Sequence, residues 1–115
     1  MKHVTHFGDG EKTFALTTPM VLELQNKTGV GIGLLYQRAM SMQFGITDLT
    51  ETIRLGLIGA GTSPADAQHL VDTYAVNRPV MEILPLALDI LECAWSGKAV
   101  TDEAQDDAEQ DTADV

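Results

Sequence analysis

With a single cysteine, Cys93, the chain can form no internal disulfide, and such usage fits a reducing cytosol. Aromatic residues are scarce, 5% of the chain against 44% hydrophobic, so Leu, Ile, Val, Met and Ala must build the core, which favours helices. No apolar run approaches the ~18 residues that a membrane-spanning helix needs. The N-terminus lacks a charged flank followed by an apolar stretch, so no secretory signal is expected. Also missing is any cluster of Lys and Arg that would mark a nucleic-acid or membrane-surface partner. These absences leave a soluble cytoplasmic protein of 115 residues, the size of one ordinary domain.

What is present begins with charge. The net charge of −10 is concentrated at the C-terminus, where Asp102, Glu103, Asp106, Asp107, Glu109, Asp111 and Asp114 occur with no base among them. The rest is only mildly acidic. Residues 98–115 hold almost nothing to bury, and a disordered acidic C-terminal tail is expected beyond a single domain of residues 1–97.

Within that domain the pattern is mainly α: an N-terminal β-hairpin followed by a compact bundle of about five helices. Residues 4–7 and 11–17 flank the turn signal Gly8-Asp9-Gly10. Thr18 as N-cap and Pro19 at the first helical position start a helix over 20–27 that Gly29 stops. Ile32, Leu35, Tyr36, Ala39 and Met40 share one face of a second helix running to about Gln43. Asp48 with Glu51 reads as a capping box, opening a third helix over about 48–58 with Leu49, Ile53 and Leu57 at helical spacing. Ser63, Pro64 and Asp66 begin a fourth, whose stripe is Ala67, Leu70, Val71 and Tyr74, with Asn77 closing it. The fifth spans about 79–96. Val80, Ile83, Leu84, Ala87, Leu88, Leu91 and Trp95 form its first face, Leu86, Ile90 and Cys93 its second, and Pro85 bends it. So wide an apolar arc makes this helix either central or partly reserved for a partner.

Candidate chemistry is sparse. A dinucleotide turn needs G-x-G-x-x-G after a strand and before a helix, whereas Gly56, Gly59 and Gly61 give the reverse order at a helix end. Gly56 is placed to let another helix approach, and Gly59 and Gly61 to release the chain. Gly29, Gly31 and Gly33 fail similarly, since Leu34 stands at the third position and a helix precedes them. No P-loop Gly-Lys-Ser/Thr occurs. His3 and His6, three apart on a strand, point to opposite faces and read as an exposed terminus, not as ligands joined by His69 and Cys93. Cys93 reads as a buried apolar thiol. Glu82, Asp89 and Glu92 read as a solvated acidic stripe. For Met20, Met40, Met42 and Met81, core packing outweighs a binding surface. No catalytic residue, metal or cofactor is expected.

The succession Phe7-Gly8-Asp9-Gly10-Glu11, Phe14-Ala15-Leu16-Thr17, Leu22-Glu23-Leu24, Gly29, the segment Ile53-Arg54-Leu55-Gly56-Leu57-Ile58-Gly59-Ala60-Gly61 and Val71-Asp72-Thr73-Tyr74 resembles the gene transfer agent tail protein family, itself similar to phage tail assembly chaperones. The resemblance covers roughly residues 7–97 and leaves out the acidic tail. It implies a non-enzymatic assembly role: holding the tape-measure protein, a long helical chain prone to aggregate, until tube subunits polymerise around it. The alternative it carries is a structural, tube-associated component retained in the particle; a small nucleotide-binding protein ranks below both. The surface expected to meet the partner comprises Met40, Met42, Leu86, Ile90 and Cys93.

Overall fold

The structure, a computed structural model, describes residues 2–97. The hairpin of β1 (His3–Phe7) and β2 (Gly10–Phe14) is followed by α1 (Thr18–Thr28), α2 (Ile32–Met40), α3 (Ile46–Gly59), α4 (Pro64–Tyr74) and α5 (Val80–Ser96). The mainly helical fold with an N-terminal hairpin is thus as the sequence predicts. The expected disordered tail falls outside the described residues.

The hairpin closes on Phe7 paired with Gly10, and Gly8 at φ 71 supplies the first residue of its two-residue loop. Alternation then sends His3 and Phe7 inward with Phe14, while Val4 and His6 face solvent. Phe7 meets Phe14 and Tyr74 edge-on, at centroid distances of 6.0 and 6.1 Å, which seats the hairpin tip over the end of α4. His3 is buried, not part of an exposed terminus as its sequence position suggested.

The hub is α3, which packs against α1, α4, α5 and β2. Its Leu49, Ile53, Leu55 and Leu57 are fully enclosed, and the residue between the last two is Gly56. A side chain there would press on Ile90 of α5 and on Phe14 of β2. Gly59 comes closer still: its missing Cβ would lie 1.9 Å from the Ala15 carbonyl oxygen. The chain leaving the hairpin therefore crosses α3 in direct backbone contact, fixed by the Ala15 N–H donating to the Gly56 carbonyl at 2.9 Å. Gly59 remains inside the helix, and the turn that follows is made by Gly61 at φ 115. The two glycines expected to release the chain thus divide the work, one packing and one turning.

Several boundaries differ from the sequence expectation for local reasons. The N-cap of α1 is Thr17, not Thr18, and its hydroxyl makes no capping bond, so Pro19 carries most of the start signal. Gly29, left-handed at φ 81, stops α1 as expected. Ser63 caps α4, accepting from the Asp66 N–H at 3.1 Å. In contrast, α2 ends at Met40 and Met42 turns left-handed at φ 63.

Asp48 is the third residue of α3, not its cap. Its carboxylate reaches back to the Gly45 N–H at 2.9 Å and takes Arg38 of α2 at 2.5 Å, while Glu51 pairs with Arg54 instead. One buried carboxylate thus ties the end of α2 to the start of α3. Asp48→Ala should cost about 2 kcal/mol, because it strands both a helix-terminal N–H and the Arg38 charge. Asp48→Asn, which keeps an acceptor for Gly45, should lose less; urea unfolding of the two variants checks the order.

Candidate partner-binding surface

The longest helix, α5, has more apolar residues than the core can cover. Ile83, Leu84, Ala87, Ile90, Leu91 and Cys93 are buried, which already takes up about half of its circumference. On the remaining side Met81 (69% exposed), Pro85, half-buried Leu88 and Trp95 (59% exposed) form a second apolar line. Met81, Leu88 and Trp95 are spaced by seven, so they stay on one side of the helix over about 21 Å.

Helix α2 borders this line and runs antiparallel to α5, Gly33 lying under the Trp95 ring and Tyr36 reaching Glu92. Tyr36 stacks on Trp95 at 5.9 Å with an interplanar angle of 23°. Its hydroxyl donates to the Glu92 carboxylate, and that bond, with burial second, raises the phenol above its usual range. Met40, one turn further along the same side of α2, is 59% exposed, and Met42 beyond it 64%. An aromatic pair is thus fixed at one end of the surface while flexible thioethers lie along it.

The expected partner set is accordingly split. Met40 and Met42 are exposed as a contact surface requires. Ile90 (1% exposed) and Cys93 (2%) are not: α5 turns its second face inward, where the absent side chain of Gly56 leaves room for Ile90. Burial also pushes the Cys93 thiol up, as an unreactive packing residue requires. Leu86 is half-buried and belongs to a different feature, a groove of about 420 Å³ between β1 and α5. Trp95 and Val80, grouped with Ile83 and Leu84 on the first face, are exposed. Core packing fails likewise as the reading of Met40, Met42 and Met81, leaving only Met20 packed against the core. The spacing of seven through Met81, Leu88 and Trp95 was the available signal for the outer line.

In the β1–α5 groove, His3 Nε2 lies 3.6 Å from the Asp89 carboxylate, and its buried Nδ1 has no hydrogen-bond partner among the described residues. Arg78 and Tyr74 form the far wall. Along this side β1 has no strand neighbour among the described residues, so the backbone groups of Val4 and His6 point away from β2. The three carboxylates of α5 are not a merely solvated stripe: Glu82 faces Arg78 at 3.8 Å, Asp89 faces His3, and Glu92 accepts from Tyr36. Among the described residues no three His, Cys, Asp or Glu side chains are gathered to hold a metal, and no helix is long and apolar enough to cross a membrane.

Neither the curated proteins nor the solved structures contain a match to this chain. A family model described as phage tail tube protein, GTA-gp10, matches residues 1–97, the hairpin and all five helices included. On that match the chain belongs to the phage tail tube protein, GTA-gp10 family, a family of gene transfer agent tail proteins.

Proposed function

We propose that the protein serves tail morphogenesis as a non-enzymatic assembly chaperone, acting in the cytoplasm of the producing bacterial cell without a cofactor. On this reading the open side of α5, flanked by α2, holds a helical segment of the tape-measure protein until the tube assembles. The observation that carries it is the exposure of Met81, Trp95, Met40 and Met42 on neighbouring elements. Large flexible and aromatic side chains left in water on adjoining helices suit transient capture of an apolar helix face. Catalysis finds no comparable support, since Gly56 and Gly59 are committed to packing and the α5 carboxylates to neighbours.

A second reading, a structural tube-associated component retained in the particle, draws on the open edge of β1, which suits strand pairing between subunits, and on the family description. Purified mature particles separate the two. A chaperone is expected to be absent from them by quantitative mass spectrometry, yet to keep the tape-measure protein soluble when the two are co-expressed. Stoichiometric presence in particles with no effect on that solubility would establish the structural role instead.

A further inference from the structure

We propose that the outer edge of β1 pairs with the same edge of a second copy of this chain, antiparallel and about a two-fold axis at Thr5, joining two hairpins into one continuous sheet. The pairing goes beyond the capture reading and does not depend on what the open side of α5 holds.

The unmet bonding groups come first. In the hairpin the bonded pairs are Phe7 with Gly10, Thr5 with Lys12 and His3 with Phe14, because the two-residue loop fixes that phase. The N–H and C=O of Val4 and His6 therefore face the other way, and no hydrogen bond among the described residues uses them. An open edge of this kind is normally blunted by a charged side chain, a proline or a bulge. β1 has none of these, since it reads His-Val-Thr-His-Phe and keeps an unbroken register with β2. The other strand differs. β2 carries Glu11 and Lys12, and the chain leaving it closes on α3 where Ala15 donates to Gly56.

The symmetry follows from where the outward groups sit. Val4 and His6 lie on either side of Thr5, so a two-fold axis there sets Val4 of each copy against His6 of the other, and each such pair exchanges both of its bonds. Thr5 then faces Thr5 as the close pair without bonds, about 4.5 Å apart at Cα, a favourable cross-strand match. On the inner face His3 of one copy meets Phe7 of the other. That contact lengthens an existing row, in which the His3 ring already lies 6.3 Å from Phe14. No like charges are opposed, because β1 contains no Asp, Glu, Lys or Arg and each His6 faces a valine. The groove of about 420 Å³ between β1 and α5 gives the incoming inner-face side chains a space to enter.

Other occupants suit this edge less well. Residues 102–114 carry seven acids and no base, and their Ala, Gln, Asp and Glu are weak strand formers. A head-to-tail array would have to bring β1 of one copy to β2 of the next, against Glu11, Lys12 and the crossing to α3. The two-fold pair instead consumes both open edges and stops at two copies. A strand of another protein meets the same backbone groups, but β1 supplies its own match at every position of the register.

One short strand from each copy makes a small contact, so a dissociation constant on the order of 10 μM is expected. Sedimentation velocity of the full chain from about 1 to 300 μM, which brackets that value, should show a reversible shift from monomer to dimer. Val4→Pro removes an outward N–H without touching a bond between β1 and β2. It should weaken the dimer at least about tenfold while the circular dichroism spectrum stays unchanged. His6→Pro, at the other outward position, should do the same. Thr5→Cys should link the two copies through a disulfide under copper–phenanthroline oxidation, much faster than Val4→Cys, whose counterpart across the junction is His6. The buried Cys93 leaves the wild type as the unlinked control. These linking rates test the register even if neither proline variant folds. A chain that stays monomeric throughout, a dimer indifferent to a folded proline variant, or linking at Thr5 no faster than at Val4 overturns the proposal. Growth beyond the dimer overturns it as well, in favour of head-to-tail pairing.

Discussion

Gly59→Ala should unfold the domain or cost it more than about 3 kcal/mol, at the upper limit of overpacking effects. The new Cβ would stand 1.9 Å from the Ala15 carbonyl oxygen and 3.1 Å from its carbon. Backbone atoms cannot swing aside as a side chain does. Ala15 is also held on both sides, by fully buried Phe14 and nearly buried Leu16, and its own N–H is bonded to α3. Relief therefore requires the hairpin exit and α3 to separate by more than 1 Å, a shift on the scale of van der Waals overlap.

Gly56→Ala should behave differently. There the nearest atoms are Ile90 Cγ2 at 3.3 Å and Phe14 Cβ at 3.4 Å, side-chain atoms that need yield only slightly. Alanine also gains about 1 kcal/mol of helix propensity over glycine. Gly56→Ala should stay within about 1 kcal/mol of the parent in urea unfolding. If Gly59→Ala does the same, the hairpin exit and α3 are not in direct backbone contact.

Ile90→Asp should be equally severe. Ile90 is enclosed by the core cluster and fills the space above Gly56, so the substitution removes that packing and buries a carboxylate with no cation beside it. The cost should exceed about 4 kcal/mol, visible as loss of the cooperative thermal transition in circular dichroism. Met81→Lys, seven tenths exposed on the same helix, should melt within a few degrees of the parent. Ile90→Asp would thus report on folding, and any loss of partner binding it caused would say nothing about the binding face.

That contrast marks where sequence reasoning works in this protein. Ser63-Pro64 followed by Asp66, Gly29 and the Gly8-Asp9 turn were legible because their chemistry closes within a few residues. Asp48 was recognised as helix-starting chemistry but assigned to the wrong position, since a carboxylate at the cap and one at the third residue leave the same trace when Gly45 precedes it. Helix α5 shows the harder limit. Its periodicity fixed the angles between apolar residues, but which angle faces inward depends on a glycine on α3, 34 positions before Ile90. His3 was misplaced for the same reason: what encloses it, Phe14 of β2 and Asp89 of α5, lies outside its own strand.

The Gly56 carbonyl has two claimants, the Ala15 N–H at 2.9 Å and the Ala60 N–H at 3.2 Å. The strap leaving the hairpin and the final turn of α3 therefore hold on to one oxygen. When the hairpin lifts away, the helix end loses the packing that pins it; when that turn frays, the hairpin loses its anchor. The two form a single cooperative unit of local opening, in which the Ala15 and Ala60 amides should exchange with solvent at a common free energy.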